Sequence, residues 1–151
     1  IPEDGRWFEG EKRRVQMLPA AGCHTPTDCL VWVPDDGALF TGDLFGWGLI
    51  PVSGPLTDDS ARRLLDIYRR MIDLGAETVV PGHGPLCDTD TLRRFVRYFN
   101  DLRRQAAEAR QAGRSPQKIA KAIPPPEDMR DWWRFTEWKH GDSLRKVLGE
   151  G

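Results

Sequence analysis

Apolar positions along the chain change period, from short alternating or continuous runs in the first third to three- and four-residue spacing afterwards. Arg14 to Leu18 predicts a strand, and the turn-forming residues from Pro19 to Asp28 predict a loop. Cys29-Leu30-Val31-Trp32-Val33 predicts a buried strand, and Pro34-Asp35-Asp36-Gly37 a turn into Ala38-Leu39-Phe40-Thr41, so these two runs form a hairpin. Glycine, proline, Trp47, Leu49 and Ile50 between Gly46 and Pro55 predict an irregular loop, its aromatic either flanking a substrate or packing on the surface. Leu64, Leu65, Tyr68, Met71 and Ile72 form one helical stripe, with Asp58, Asp59 and Ser60 offering N-cap oxygens and Gly75 a stop. Thr78-Val79-Val80 returns as a strand. A longer helix runs from Asp88-Thr89-Asp90 to about Gly113, burying Leu92, Phe95, Val96, Phe99, Leu102 and Ala106. Arg93, Arg97 and Arg104 on its far side, interleaved with Asp101 and Glu108, read as a solvated face rather than an anion-binding stripe. Ser115-Pro116 caps a short helix containing Ile119, Ala120 and Ile123, stopped by Pro124-Pro125-Pro126. Trp132, Trp133, Phe135 and Trp138 then anchor the terminal segment or, alternatively, line a pocket for an apolar acyl or aromatic group. A last short helix spans Ser143 to Leu148. Strand, helix and strand in succession predict an α/β unit.

Composition narrows the classes of function. At 151 residues, 39% hydrophobic and 30% charged, the chain can bury a core and is not a disordered sequence. A net charge of -1 predicts no strong pull on nucleic acid or anionic membrane. No apolar run approaches the roughly 20 residues that span a bilayer. Cys23, Cys29 and Cys87 are odd in number and lack C-x-x-C spacing, which points to a reducing compartment and an expected cytoplasmic location. The start, Ile1-Pro2-Glu3-Asp4-Gly5, lacks a charged leader and an initiator methionine, so a fragment of a longer polypeptide is expected.

Candidate chemistry sits where three hydrophobic runs end: Cys23-His24-Thr25-Pro26, Thr41-Gly42-Asp43-Leu44-Phe45 and Pro81-Gly82-His83-Gly84-Pro85. Two imidazoles and a carboxylate suit a borderline divalent ion such as zinc, and imidazole also accepts iron. If the 23–24 stretch is extended, Cys23 points away from His24 and is a buried bystander rather than a ligand or redox thiol.

Read in order with their flanking residues, Gly22-Cys23-His24-Thr25-Pro26, Leu39-Phe40-Thr41-Gly42-Asp43 and Val79-Val80-Pro81-Gly82-His83-Gly84-Pro85 resemble the C-terminal half of the metallo-β-lactamase superfamily domain. The resemblance covers Val15 to Gly113 well. It implies that residues 1–113 form an α/β half of an αββα sandwich, one sheet with flanking helices, and that 114–151 is a helical, Trp-rich tail packed on it. It also implies metal ligands: His24 as the third histidine, Asp43 as the carboxylate bridging two ions and His83 as the last histidine. Two zinc ions are expected, with iron or manganese possible. Cys23 and Thr27 stand where the family more often has glycine, which bears on pocket contour near His24. The family's first motif, H-x-H-x-D-H, has no counterpart here, and the remaining histidine, His140, is a surface residue or a catalytic candidate reaching substrate. The half-sheet is therefore expected to expose an apolar face that binds either the missing N-terminal half or a second copy of the chain.

The function expected of the intact protein is metal-dependent hydrolysis of a small-molecule thioester, lactone, β-lactam or related ester or amide by a metal-bound hydroxide, this chain alone being an incomplete, inactive half. The alternatives are a non-haem iron oxidoreductase or dioxygenase of the same fold, and a non-catalytic half-domain acting as an assembly module.

Overall fold

The computed structural model describes residues 1–46, 48–132 and 137–149, without the side chains of Glu137 and Trp138. Trp47, Trp133 and Phe135 thus lie outside the described residues. Among those described are five strands, β1 (Arg6–Glu9), β2 (Arg14–Pro19), β3 (Cys29–Val33), β4 (Ala38–Gly42) and β5 (Thr78–Pro81), and four α-helices, α1 (Asp58–Asp73), α2 (Thr89–Gln111), α3 (Pro116–Ala122) and α4 (Glu137–Leu148). The strands make one sheet in chain order. Neighbours from β1 to β4 are antiparallel, whereas β4 and β5 are parallel and joined through α1. Their carboxyl ends therefore open onto the same edge.

Alternation along the strands separates two faces. Leu39 and Thr41 are fully buried while Phe40 between them is 43% exposed. On one face Leu18, Leu30, Leu39 and Val79 share a single core with Leu64, Tyr68 and Met71 of α1 and Leu92, Phe95, Phe99 and Leu102 of α2. The other face carries a row across all five strands: Phe8 beside Val15, Met17 beside Val31, then Phe40 and Val80. None of these is fully buried, and Phe8 and Phe40 are 44% and 43% exposed. Among the described residues, helices cover one face of the sheet, the α/β half of a sandwich.

Several local expectations need correction. The N-cap of α1 is Thr57, whose hydroxyl accepts from the Ser60 N–H while the Ser60 hydroxyl accepts from the Thr57 N–H, a reciprocal capping box. Asp58 and Asp59 fall instead in the first turn, favourably near the positive end of the helix dipole. Strand β1 has no counterpart among the expected elements; it is a four-residue edge strand whose ladder to β2 closes through Gly10 N–H to the Arg13 carbonyl at 2.9 Å. Helix α4 begins at Glu137, six residues before Ser143. The 20–28 segment is the turn-rich loop expected of it, with Gly22 N–H bonded to the Thr25 carbonyl at 2.8 Å. Arg93 and Arg104 pair with Asp90, Asp101 and Glu108 of their own helix, a solvated face.

Candidate metal centre

Strand β4 delivers Asp43 to the sheet edge. The ladder with β5 shifts register between Phe40 and Gly42, and the buried Thr41 hydroxyl donates to the Gly42 carbonyl at 3.1 Å. Across the edge, the Gly82 N–H is shared between the carbonyls of Gly42 at 2.9 Å and Phe45 at 3.2 Å. This stitch leaves no room for a side chain. A Cβ on Gly82 would lie 2.2 Å from Asp43 Oδ1 and 2.6 Å from the Gly42 carbonyl carbon. Below the turn, the Tyr68 hydroxyl donates to the Leu44 carbonyl at 2.7 Å, fixing the loop to α1, and burial raises the Tyr68 pKa far above its ordinary value. His83 follows Gly82, and Gly84 takes a left-handed φ of 106° that turns the chain back towards the Cys87 bridge to Val79.

His24 is held differently, by a carboxylate four residues on. Asp28 Oδ2 accepts from the His24 N–H at 2.8 Å and the Thr25 N–H at 2.6 Å, and its Oδ1 from the Thr25 hydroxyl at 2.7 Å. Asp28 makes the turn that aims His24, a role the sequence reading did not give it, although Asp in a His-Thr-Pro-Thr-Asp turn is a usable signal. Asp28→Ala is expected to weaken metal retention about tenfold or more, as loss of ligand-orienting partners does. Competition with a chromophoric chelator checks this; wild-type affinity would remove Asp28 from the site.

The three side chains converge on one point of the sheet edge. His24 Nε2 lies 3.5 Å from Asp43 Oδ2, and His83 Nε2 lies 3.3 Å from Asp43 Oδ1. Each imidazole therefore faces a different oxygen of one carboxylate. Both separations exceed the roughly 2.7–3.2 Å of an N–H···O hydrogen bond. They match the roughly 3.3 Å between two donors that sit about 2.0–2.1 Å from a shared tetrahedral ion. By donor type and spacing the three side chains are of the kind that would hold a divalent cation. Among the described residues, no group of three or more His, Cys, Asp or Glu side chains is placed so as to hold a metal ion. The side chain of His83 is 72% exposed, so the cluster is open towards further donors.

A cleft of about 390 Å³ adjoins the cluster, lined by His24, Asp43 and His83 together with Leu49, Pro51 and Val52. Lys146 of α4 also reaches it. Nothing in the local sequence marks Lys146, which arrives through the tail's return. His140 does not line the cleft. It is 4% exposed, with Nδ1 2.9 Å from the Tyr98 hydroxyl and Nε2 2.9 Å from the Ile123 carbonyl, and burial lowers its pKa, favouring the neutral ring. Nε2–H then donates to Ile123, and Nδ1 accepts from Tyr98. Cys23 is buried beside His24, and burial raises its thiol pKa, so the thiolate needed for ligation is disfavoured. Cys87 is pushed up to about 12 for the same reason.

A one-sided α/β sheet with an imidazole–carboxylate–imidazole cluster at the edge where β2, β4 and β5 end is the arrangement of a metal-dependent hydrolase-type fold. The chain belongs to the metallo-beta-lactamase superfamily, whose family description matches residues 1–83. Among solved structures, the stereoselective inverting sec-alkylsulfatase Pisa1 from Pseudomonas sp. is similar, at 17% identity and a TM-score of 0.67 over 99% of this chain and 26% of that one. A metallo-beta-lactamase family protein from Thermus thermophilus aligns at 17% identity and a TM-score of 0.61 over 99% of this chain and 46% of that one. An archaeal superfamily protein from Sulfolobus tokodaii reaches 24% identity and a TM-score of 0.53 over 65% of this chain and 38% of that one. These likenesses are of fold, and the chain spans between about a quarter and a half of the length of those relatives. No curated protein matches the chain. No described helix is long and apolar enough to cross a membrane.

Proposed function

We propose that the intact protein is a metal-dependent hydrolase acting on an ester, thioester, lactone or amide, with His24, Asp43 and His83 among the ligands of two divalent ions, zinc by preference. The observation that carries this reading is the single carboxylate offering one oxygen to each imidazole, 3.5 Å from His24 and 3.3 Å from His83. When bound, such ions supply Lewis acidity and bring the pKa of a coordinated water towards about 7. The chain's own part is to fix donors and shape the approach. His24 and His83 would offer directional nitrogens from their turns, and Asp43 would supply negative charge that offsets the cations. The apolar wall of Leu49, Pro51 and Val52 excludes water from one side of the reacting group and so strengthens electrostatic interactions there.

Three donors are too few for two ions, since zinc sites commonly use four positions each. The remaining ligands come, in this reading, from the rest of the domain, whose sheet packs on the open row of Phe8, Met17, Val31, Phe40 and Val80. Apolar surface across five strands is what such a layer would bury.

His83→Ala in the full-length protein is expected to abolish tight metal retention. Elemental analysis reads both the loss and the identity of the metal. Unchanged content would reject the ligand assignment, and iron in place of zinc would shift the reading to oxidative chemistry on the same fold.

A further inference from the structure

The cleft beside the imidazole–carboxylate cluster mixes charged and apolar lining. Asp43 and its two imidazoles share it with Lys146, the one Lys or Arg lining it among the described residues. Leu49, Ile50, Pro51 and Val52 supply its apolar lining.

The Lys146 ammonium is held rather than free to swing. Its side chain is 18% exposed, and Nζ donates to the Ile50 carbonyl at 2.9 Å and contacts Asp142 Oδ2 at 3.1 Å. An ammonium has three hydrogens, so two of these directions are used and one remains. Asp142 does not cancel the charge, because its other oxygen serves Arg145 at 3.3 Å; one carboxylate answers two cations. The position of α4 is itself fixed: the Ser143 hydroxyl donates to the Gly48 carbonyl at 3.3 Å, the Ile50 N–H reaches the Ser143 hydroxyl at 3.4 Å, and the Leu56 N–H donates to the Lys146 carbonyl at 2.9 Å. A positioned, partly desolvated cation that shares a cleft with apolar side chains suits an anion that carries a hydrocarbon body.

We propose that Lys146 is a specificity-determining residue which selects amphiphilic monoanions, with the anionic head on Lys146 and the apolar body along Leu49 to Val52. The proposal rests on the hydrolase reading for the site it serves. The body then spans from the anionic head to the reacting group, which meets the His24, Asp43 and His83 cluster.

The test is calorimetric titration of the full-length protein, as purified and with metal content measured in each sample, against sodium octanoate and against 1-octanol. Lys146→Gln keeps an amide donor for the Ile50 carbonyl and removes the charge. Octanoate affinity is expected to fall about tenfold or more, the usual worth of a charge-assisted hydrogen bond, while octanol affinity stays within about twofold. Lys146→Arg is expected to restore most octanoate affinity. Equal weakening for both probes would mean that Lys146 only props up the 48–52 loop, and would overturn the proposal. No change, or no octanoate binding by the unaltered protein, would overturn it as well. Because the comparison is made at equal metal content, its failure leaves the His83→Ala result standing, and failure of that result is read separately from the metal analysis.

Discussion

Alanine at Gly82 is expected to empty the full-length protein of tightly bound metal and to lower its Tm. The added Cβ would sit 2.2 Å from Asp43 Oδ1 and 2.6 and 2.7 Å from the carbon and oxygen of the Gly42 carbonyl. Two of those neighbours are backbone and cannot step aside by changing rotamer. The third is the carboxylate on which both imidazoles converge. Relief requires either that Asp43 turn away or that the two strand ends part, lengthening the bonds from the Gly82 N–H to Gly42 and Phe45. Either movement separates His24 from His83 at the point where they meet. Overpacking of this kind costs about 1–3 kcal/mol, a fall of roughly 3–10 °C in Tm. Gly46 supplies the control, since a Cβ there would meet His83 Cδ2 at 3.7 Å, an ordinary contact. Elemental analysis and calorimetry of both variants decide the matter. A Gly82→Ala protein with wild-type metal content would show that the closeness of the two strand ends does not govern the site.

Legibility in the sequence followed the range of the interactions involved. The hairpin of β3 and β4 and the long helices were visible because apolar periodicity records which face is buried, and Leu30, Leu39, Leu64 and Leu92 are indeed fully buried. His24, Asp43 and His83 were visible as ends of such runs, since a side chain that terminates a strand stands at a sheet edge. What holds them was not. Asp28 acts mainly through the His24 and Thr25 backbone N–H groups, so its only sequence signal is its place at the end of the His-Thr-Pro-Thr-Asp turn. The need for glycine at position 82 comes from a strand about 40 residues earlier in sequence whose end passes against it, which becomes apparent only when β4 and β5 lie parallel. Tyr98 lies outside the apolar stripe read on α2, yet it is 4% exposed because the tail folds back and its hydroxyl meets His140. Lys146 reaches the cleft by the same return. The tail was the least readable part because its place depends on contacts with α2 and the 48–56 loop.

Phe95→Ala is expected to give the largest loss of stability of any single substitution considered, about 3–5 kcal/mol and roughly 10 °C or more in Tm. Phe95 is fully buried, and four aromatic rings surround it: Phe45 edge-on at 5.7 Å, Tyr68 edge-on at 5.5 Å, Tyr98 at 6.0 Å and Trp132 stacked at 6.0 Å. These neighbours come from the loop after Asp43, from α1, from α2 itself and from the segment leading into α4. Truncation would therefore leave a cavity at the place where the sheet edge, the helical layer and the tail meet, with little chance of collapse from any one side. The effect should reach the site as well, because the Phe45 carbonyl also accepts from the Gly82 N–H and its ring loses its partner in α2. Weaker metal retention than in the unaltered protein, but not the complete loss expected of Gly82→Ala, follows from that order of contacts. Leu86, 66% exposed, provides the comparison, and Leu86→Ala should move Tm by no more than about 2 °C. Calorimetry that found the two alanine variants equally stable would mean that the rings around Phe95 do not form the common core, and that the tail is joined to the sheet by other means.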